Sequence, residues 1–147
     1  MLIERQWRVT MADVDAAGIL YYASPLRWTE ALLGDWLDRS GRSISSMLAA
    51  NEATPAVGVQ VRYLAPLGLD DHCRLCLSAQ RIGKTSFTIR CTAWAPGDER
   101  VAVEVEVTHA FVSYVRQPGG GVALAKQALP PWLRQALECD SQALRKG

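Results

Sequence analysis

The 147-residue sequence predicts an α+β fold, an antiparallel sheet of about five strands wrapped around one long helix. Three observations predict it. Residues 24–40 carry apolar side chains near helical spacing, early in the chain. After Pro55 the pattern changes to period-two runs separated by short turns. No internal repeat or second-domain pattern interrupts this order, so one helix and one sheet must bury each other. Residues 1–147 are therefore expected to form a single domain.

Each element has its own signal. Leu2 to Thr10 alternate as a strand, and a loop over Asp13–Gly18 follows. Ser24-Pro25 predicts a helix start with serine at the N-cap and proline in the first turn. Leu26, Leu33, Trp36 and Leu37 then share one face, while Arg27, Asp38 and Arg39 occupy others, and Gly41 stops the helix. A shorter helical piece is expected over Ile44–Ala50, and Ala56–Leu64 reads as a strand.

Pro66-Leu67-Gly68 with Asp70-Asp71 marks a turn. His72–Arg81 and Thr85–Trp94 form a hairpin through Ile82-Gly83-Lys84, and Ala95-Pro96-Gly97-Asp98 is another turn. Arg100–Val115 is the longest strand expected. There Val101, Val103, Val105, Val107, His109 and Phe111 lie on one face and Glu104, Glu106 and Thr108 on the other. Gly119-Gly120-Gly121 is a loop without phosphate-loop context. A short helix starts at Leu129-Pro130-Pro131-Trp132, with a loose tail from about residue 140.

Composition narrows the function classes. A formal net charge of +1 favours neither nucleic acid nor a membrane surface as partner. No apolar run is long enough to span a bilayer, and the N-terminus lacks a signal-peptide shape, so a cytoplasmic protein is expected. Cys73-Arg74-Leu75-Cys76 has CxxC spacing, but on a strand its two thiols face opposite ways, and buried inert thiols are the expectation. His109 shares the phase of the valines and reads as a satisfied core histidine. No metal-ligand constellation is expected.

The most informative stretch is Asp13-Val14-Asp15-Ala16-Ala17-Gly18-Ile19-Leu20-Tyr21-Tyr22. It has an acid, a spacer, a second acid, small residues with a glycine, then an apolar and an aromatic pair. Taken alone, an acid here is also what an Asx-turn or a cap before a helix would use. The stretch, together with Arg27-Trp28-Thr29-Glu30-Ala31, Thr54-Pro55, Leu69-Asp70-Asp71 and Lys84-Thr85-Ser86-Phe87, resembles the hotdog-fold acyl-CoA thioesterases. It is most similar to the 4-hydroxybenzoyl-CoA thioesterase branch, over nearly the whole chain up to about Val115.

That resemblance implies a hotdog fold and hydrolysis of an acyl-CoA, with an aromatic or short to medium acyl group. It makes Asp15 the catalytic carboxylate, as nucleophile or general base, and the backbone N–H at Tyr22 the donor to the carbonyl. Gly18 would allow the tight turn. Some bacterial relatives in the family carry histidine at the Tyr22 position, and the 4-hydroxybenzoyl type carries tyrosine. Asp13 is expected to shape the loop and support the substrate side, which also includes Thr54, Lys84, Ser86 and Glu30.

Lys84 would meet a CoA phosphate, with Arg81 and Arg90 as helpers. Glu30 is the alternative catalytic acid, since another hotdog branch uses a carboxylate on the central helix; a solvated or inter-subunit salt bridge is its plainer reading. No cofactor is implied beyond the CoA of the substrate. A homodimer going on to a homotetramer is expected, with active sites at subunit interfaces. An acyl-carrier-protein thioesterase and a non-catalytic acyl-CoA-binding protein are the alternative readings.

Overall fold

The computed structural model describes residues 1–97 and 99–145, with the side chains of 140–145 outside that description. Strand β1 (Ile3–Arg8) leads through a 3-10 turn at Met11–Asp13 to helix α1 (Ser24–Arg39) and the short helix α2 (Ile44–Ala49). Strands β2 (Glu52–Ala53), β3 (Ala56–Tyr63), β4 (His72–Ile82), β5 (Ser86–Trp94) and β6 (Val101–Ala110) follow. The chain ends with β7 (Val112–Arg116), β8 (Val122–Lys126) and helix α3 (Pro131–Arg145). The expected loose tail from about residue 140 falls on those undescribed side chains and on residues 146 and 147, outside the described residues.

Five strands form one antiparallel sheet in the order β1-β4-β5-β6-β3. Helix α1 packs on its inner face, which gives the α+β architecture expected from the sequence. The helix buries Trp28, Thr29, Leu32, Leu33, Trp36 and Leu37, pairs of residues recurring every fourth position. They meet Leu75 and Leu77 of β4, Phe87 and Ile89 of β5, and Val103 and Val105 of β6 in one core. Each fully buried Leu in this layer contributes about 2 kcal/mol.

A Schellman motif ends α1. Gly41, at φ +89°, donates its N–H to Asp38 O, and Arg42 donates to Leu37 O. Its start differs from expectation. Ala23 is the N-cap and Ser24 is already helical, because the Ser24 hydroxyl donates to the Asp13 carbonyl at 2.9 Å and ties the helix to the loop before it.

The expected strand over Arg100–Val115 is two strands. The last residue of β6, Ala110, is paired with Ser86, the first residue of β5. Beyond it the big sheet offers no partner, so the chain passes to a second sheet ordered β2-β7-β8. Gly119, Gly120 and Gly121, all at positive φ, turn β7 into β8, a strand that sequence patterning did not resolve. Cys73 is buried and Cys76 half-buried on opposite faces of β4. Burial pushes the Cys73 thiol up to about 12 and that of Cys91 up to about 11. Cys139, by contrast, is exposed. Among the described residues no helix is long and apolar enough to cross a membrane.

Candidate active site

Two acids separated by one residue point to opposite sides when that residue is extended. Val14 is extended, with φ −114° and ψ 158°, and this separates Asp13 from Asp15. Asp13 faces inward at 4 % exposure. Its Oδ2 accepts from Trp7 Nε1 at 3.2 Å, from the Thr10 N–H at 2.9 Å and from the Thr10 hydroxyl at 3.0 Å. Its Oδ1 accepts from Trp28 Nε1 at 3.0 Å. Burial alone would raise the carboxyl, but these hydrogen bonds outweigh it and hold Asp13 below its ordinary range. A carboxylate that accepts from four internal donors ties β1, the 3-10 turn and α1 to one another.

Asp15 is exposed. Its Oδ1 accepts from the N–H groups of Ala17 at 2.8 Å and Ile19 at 3.4 Å, an Asx-type turn that fixes the side chain, while Oδ2 has no hydrogen-bond partner among the described residues. The Asp15 carbonyl accepts from Gly18 N–H at 3.0 Å, and Gly18 closes the turn at φ +76°. No atom lies near the position a Cβ would take at Gly18, so only backbone strain opposes a side chain there. Gly18→Ala is therefore expected to cost about 1–2 kcal/mol in urea unfolding and to lower turnover by displacing Asp15. Unchanged stability would contradict that account.

The backbone then runs into α1 with its donors partly committed. Tyr21 N–H donates to Asp13 O and Ser24 N–H to Tyr21 O, whereas no acceptor among the described residues meets the N–H of Tyr22. That free donor stands before the positive end of a 16-residue helix. The Tyr22 ring is 68 % exposed. The Tyr63 hydroxyl donates to the Tyr22 carbonyl, a contact across 41 positions that sequence patterning does not reveal. Burial first, and the neighbouring Tyr22, hold the Tyr63 phenol above its ordinary value, which keeps it a donor.

The other predicted residues lie elsewhere. Thr54 precedes β3, and its carbonyl bonds His109 Nδ1 at 2.8 Å. Lys84 is exposed in the β4–β5 turn, and Ser86 opens β5 beside it. Arg90 is held by Glu106, with Nε at 3.1 Å, and is not free to act as a helper. Glu30 is exposed on α1. It lines two clefts, of 240 and 320 Å³, that share Glu30, Leu33 and His109. Leu26, Val59 and Val107 complete the first; Met47, Pro55 and Leu124 belong to the second.

The predicted residues thus form two groups at opposite ends of β3. Tyr22 touches Tyr63 at one end, while Ala56 pairs with His109 at the other, where Phe87 also pairs with His109. Seven residues of strand separate them, roughly 23 Å.

Residues 9–137 match the family profile described as the Thioesterase-like superfamily. The chain belongs to the thioesterase-like superfamily. Its class of reaction is therefore hydrolysis of an acyl thioester. It is 28% identical over 138 residues to the 1,4-dihydroxy-2-naphthoyl-CoA hydrolase of Thermosynechococcus vestitus, covering 93% of this chain and 92% of the other. It is 27% identical over 115 residues to the enzyme of the same name from Acaryochloris marina, covering 75% of this chain and 84% of that one.

Two solved structures share the fold. A 1,4-dihydroxy-2-naphthoyl-CoA thioesterase from Synechocystis superposes with TM-score 0.78 at 19% identity, covering 95% of this chain and 96% of its own. A gentisyl-coenzyme A thioesterase superposes with TM-score 0.75 at 23% identity, over 90% and 99%. This thioesterase thus has the fold expected from its first loop and its strand order.

Proposed function

We propose that the protein hydrolyses an aromatic acyl-CoA to the free acid and CoA, with Asp15 as the reacting carboxylate. One observation carries this reading. A fixed, exposed carboxylate with one free oxygen and an uncommitted backbone N–H at Tyr22 belong to the same loop before α1. Asp15 attacks the thioester carbon, or removes a proton from the water that does, and the carbonyl oxygen gains charge against the Tyr22 N–H. The C–S bond then breaks, and CoA leaves as the thiolate. Direct attack would leave an acyl–aspartyl anhydride, which water hydrolyses.

The paired apolar clefts support a bulky, flat acyl group, and so do relatives named for a naphthoyl-CoA substrate. Release of CoA from 1,4-dihydroxy-2-naphthoyl-CoA, benzoyl-CoA and octanoyl-CoA tests the proposal. The aromatic substrates should exceed octanoyl-CoA in kcat/KM by about tenfold or more. The preferred acyl group presented on an acyl carrier protein should turn over more slowly. Binding of all three without turnover would overturn the enzyme reading, and faster turnover from carrier protein would change the carrier. The compartment remains the cytoplasm in this proposal.

The same proposal makes the active unit a dimer. One chain holds the Asp15–Tyr22 loop toward the Tyr63 end of β3 and Thr54 with His109 at the Ala56 end. Strand β3 is also a bare sheet edge, with Val57 63 % and Val59 53 % exposed. Antiparallel pairing of two such edges about a two-fold axis brings the Tyr63 end of one copy to the Ala56 end of the other. Each site would then draw its carboxylate from one copy and its cleft and Lys84 from the other, and two such dimers could form a tetramer. Sedimentation at assay concentration should find a dimer or larger, and an active monomer would rule the arrangement out.

A further inference from the structure

Tyr21 to Ser24 make a tight turn at the mouth of α1. The Ser24 N–H donates to Tyr21 O at 2.9 Å, which puts Tyr22 and Ala23 at the two central positions. Ala23 has φ −89° and ψ −11°, the values of the second central residue in a type I turn. Tyr22 is then right-handed as well, so the N–H groups of Tyr22 and Ala23 point the same way, back from the helix start. No acceptor among the described residues meets either of them.

Two peptide planes set the direction of these donors. The Tyr21–Tyr22 plane is anchored through Tyr21 O. The Tyr22–Ala23 plane lacks such an anchor within the helix, because the Leu26 N–H takes Ala23 O instead, at 3.2 Å. Its carbonyl is met by the hydroxyl of Tyr63, the last residue of β3. A carbonyl oxygen can only accept, so the phenol donates. In a planar trans peptide the C=O and the following N–H point in opposite directions. A hydroxyl that fixes Tyr22 O on one side therefore fixes the Ala23 N–H on the other.

Tyr63 also stands on firm ground. The next two residues, Leu64 and Ala65, both donate to Ala102 O, at 2.8 and 3.0 Å. The connection beyond them is laced to the first loop, with Leu20 N–H on Leu67 O at 2.9 Å and Leu69 N–H on Gly18 O at 3.0 Å. The Tyr63 ring lines a 260 Å³ cleft with Ile19, Leu20 and Leu64. Strand, connection and loop are thus tied together, and the Tyr63 side chain carries that tie to the helix start.

We propose that Tyr63 is a positioning residue, holding the Tyr22–Ala23 peptide so that the Ala23 N–H joins the Tyr22 N–H against the thioester carbonyl oxygen. The inference rests on the reading of Asp15 and Tyr22 above and deepens it. Water can donate to Tyr22 O in place of the phenol, but it is not tethered to β3 and sets no direction. What the hydroxyl supplies is aim. Aim matters most in the transition state, where the carbonyl oxygen carries charge.

Tyr63→Phe and Tyr63→Leu, assayed with 1,4-dihydroxy-2-naphthoyl-CoA, benzoyl-CoA and octanoyl-CoA, test it. Tyr63→Phe keeps the ring in its cleft and removes only the hydroxyl. Its kcat should fall about tenfold on the best substrate, with KM within about twofold and the melting temperature unchanged. Tyr63→Leu should lose kcat to the same extent. A second readout separates aim from packing. In the Asp15→Asn background, infrared difference spectra of bound benzoyl-CoA with an isotope-labelled carbonyl carbon report how strongly the C=O bond is polarised. Binding should lower the stretch below that of the free thioester, and adding Tyr63→Phe should move it back toward the free value.

Unchanged kcat and an unchanged stretch in Tyr63→Phe would overturn the inference and leave Asp15 and Tyr22 in their roles. A higher KM at constant kcat would overturn it too, by making Tyr63 a substrate contact. Loss of kcat in the Leu variant alone would mean ring packing only. If Tyr63→Phe does not fold, a difluorotyrosine in place of Tyr63 decides the matter, since its phenol ionises well below tyrosine and a phenolate cannot donate. The kcat of that protein should fall with rising pH where the unaltered protein's does not, and parallel profiles would overturn the inference. A bound stretch equal to the free value in Asp15→Asn itself, or no binding of any of the three substrates, would remove the Tyr22 donor and the inference together.

Discussion

Asp15→Asn should lower kcat by about a thousandfold, with KM and thermal stability nearly unchanged. Stability is insulated because the change is almost isosteric. The Asn side-chain oxygen can still accept from the Ala17 and Ile19 N–H groups, so the turn closed by Gly18 persists. An exposed site of this kind moves unfolding free energy by no more than about 0.5 kcal/mol. Chemistry is not insulated. An amide neither attacks a thioester nor takes a proton from water near pH 7, and the free Oδ2 of Asp15 becomes an NH₂ group.

Steady-state release of CoA and a melting curve on the same preparation check this. If kcat stays within tenfold of the unaltered protein, Asp15 is not the reacting group. Glu30→Gln then becomes the decisive variant, because Glu30 is the carboxylate that lines both clefts.

Asp13→Asn should act in the opposite sense, through the fold first. Four donors converge on two carboxylate oxygens, and the indoles of Trp7 and Trp28 supply two of them. An amide can face only some of them with its oxygen, and its NH₂ must point at another donor in a buried place. The expected loss is about 3 kcal/mol, or a melting temperature lower by roughly 6–12 °C for a chain of this size. Tryptophan fluorescence during urea unfolding reads it directly. A loss under about 1 kcal/mol would contradict the network.

The pH dependence carries a sign. The Asp13 carboxyl lies below its ordinary value in the folded protein. It therefore adds stability that is fully present above the unfolded value of about 4, and that is lost as pH falls through the folded one. The gap between the unaltered protein and Asp13→Asn should narrow as pH drops below about 4. A gap independent of pH would mean that charge is not what the four donors hold.

Much of this was legible before any coordinates. The period-two runs located β4, β5 and the start of β6 to within a residue, because a half-buried strand must alternate. The helix over residues 24–39 was legible for the same kind of reason, since its buried residues follow the helical period. Less legible were features that depend on partners far along the chain. Ser24 looked like a cap, but its hydroxyl is drawn to Asp13 O, eleven positions back. The valine run past Ala110 looked like one strand and divides where the neighbouring strands end. Strand β8 has little periodicity of its own and exists through pairing with β7.

The sequence by itself determined the local chemistry of this protein. Two acids one residue apart, a glycine and a helix start are contiguous, so their order already dictates a tight turn before a helical N-terminus. Only the tertiary structure decided which acid is buried and which is exposed. The indoles of Trp7 and Trp28 come together from a strand and a helix to capture Asp13, and the extended Val14 leaves Asp15 outside. It also decided that Tyr22 and His109 stand at opposite ends of one strand and that the Thr54 carbonyl holds His109 Nδ1. Burial and long-range pairing belong to the packed chain, and no local pattern encodes them.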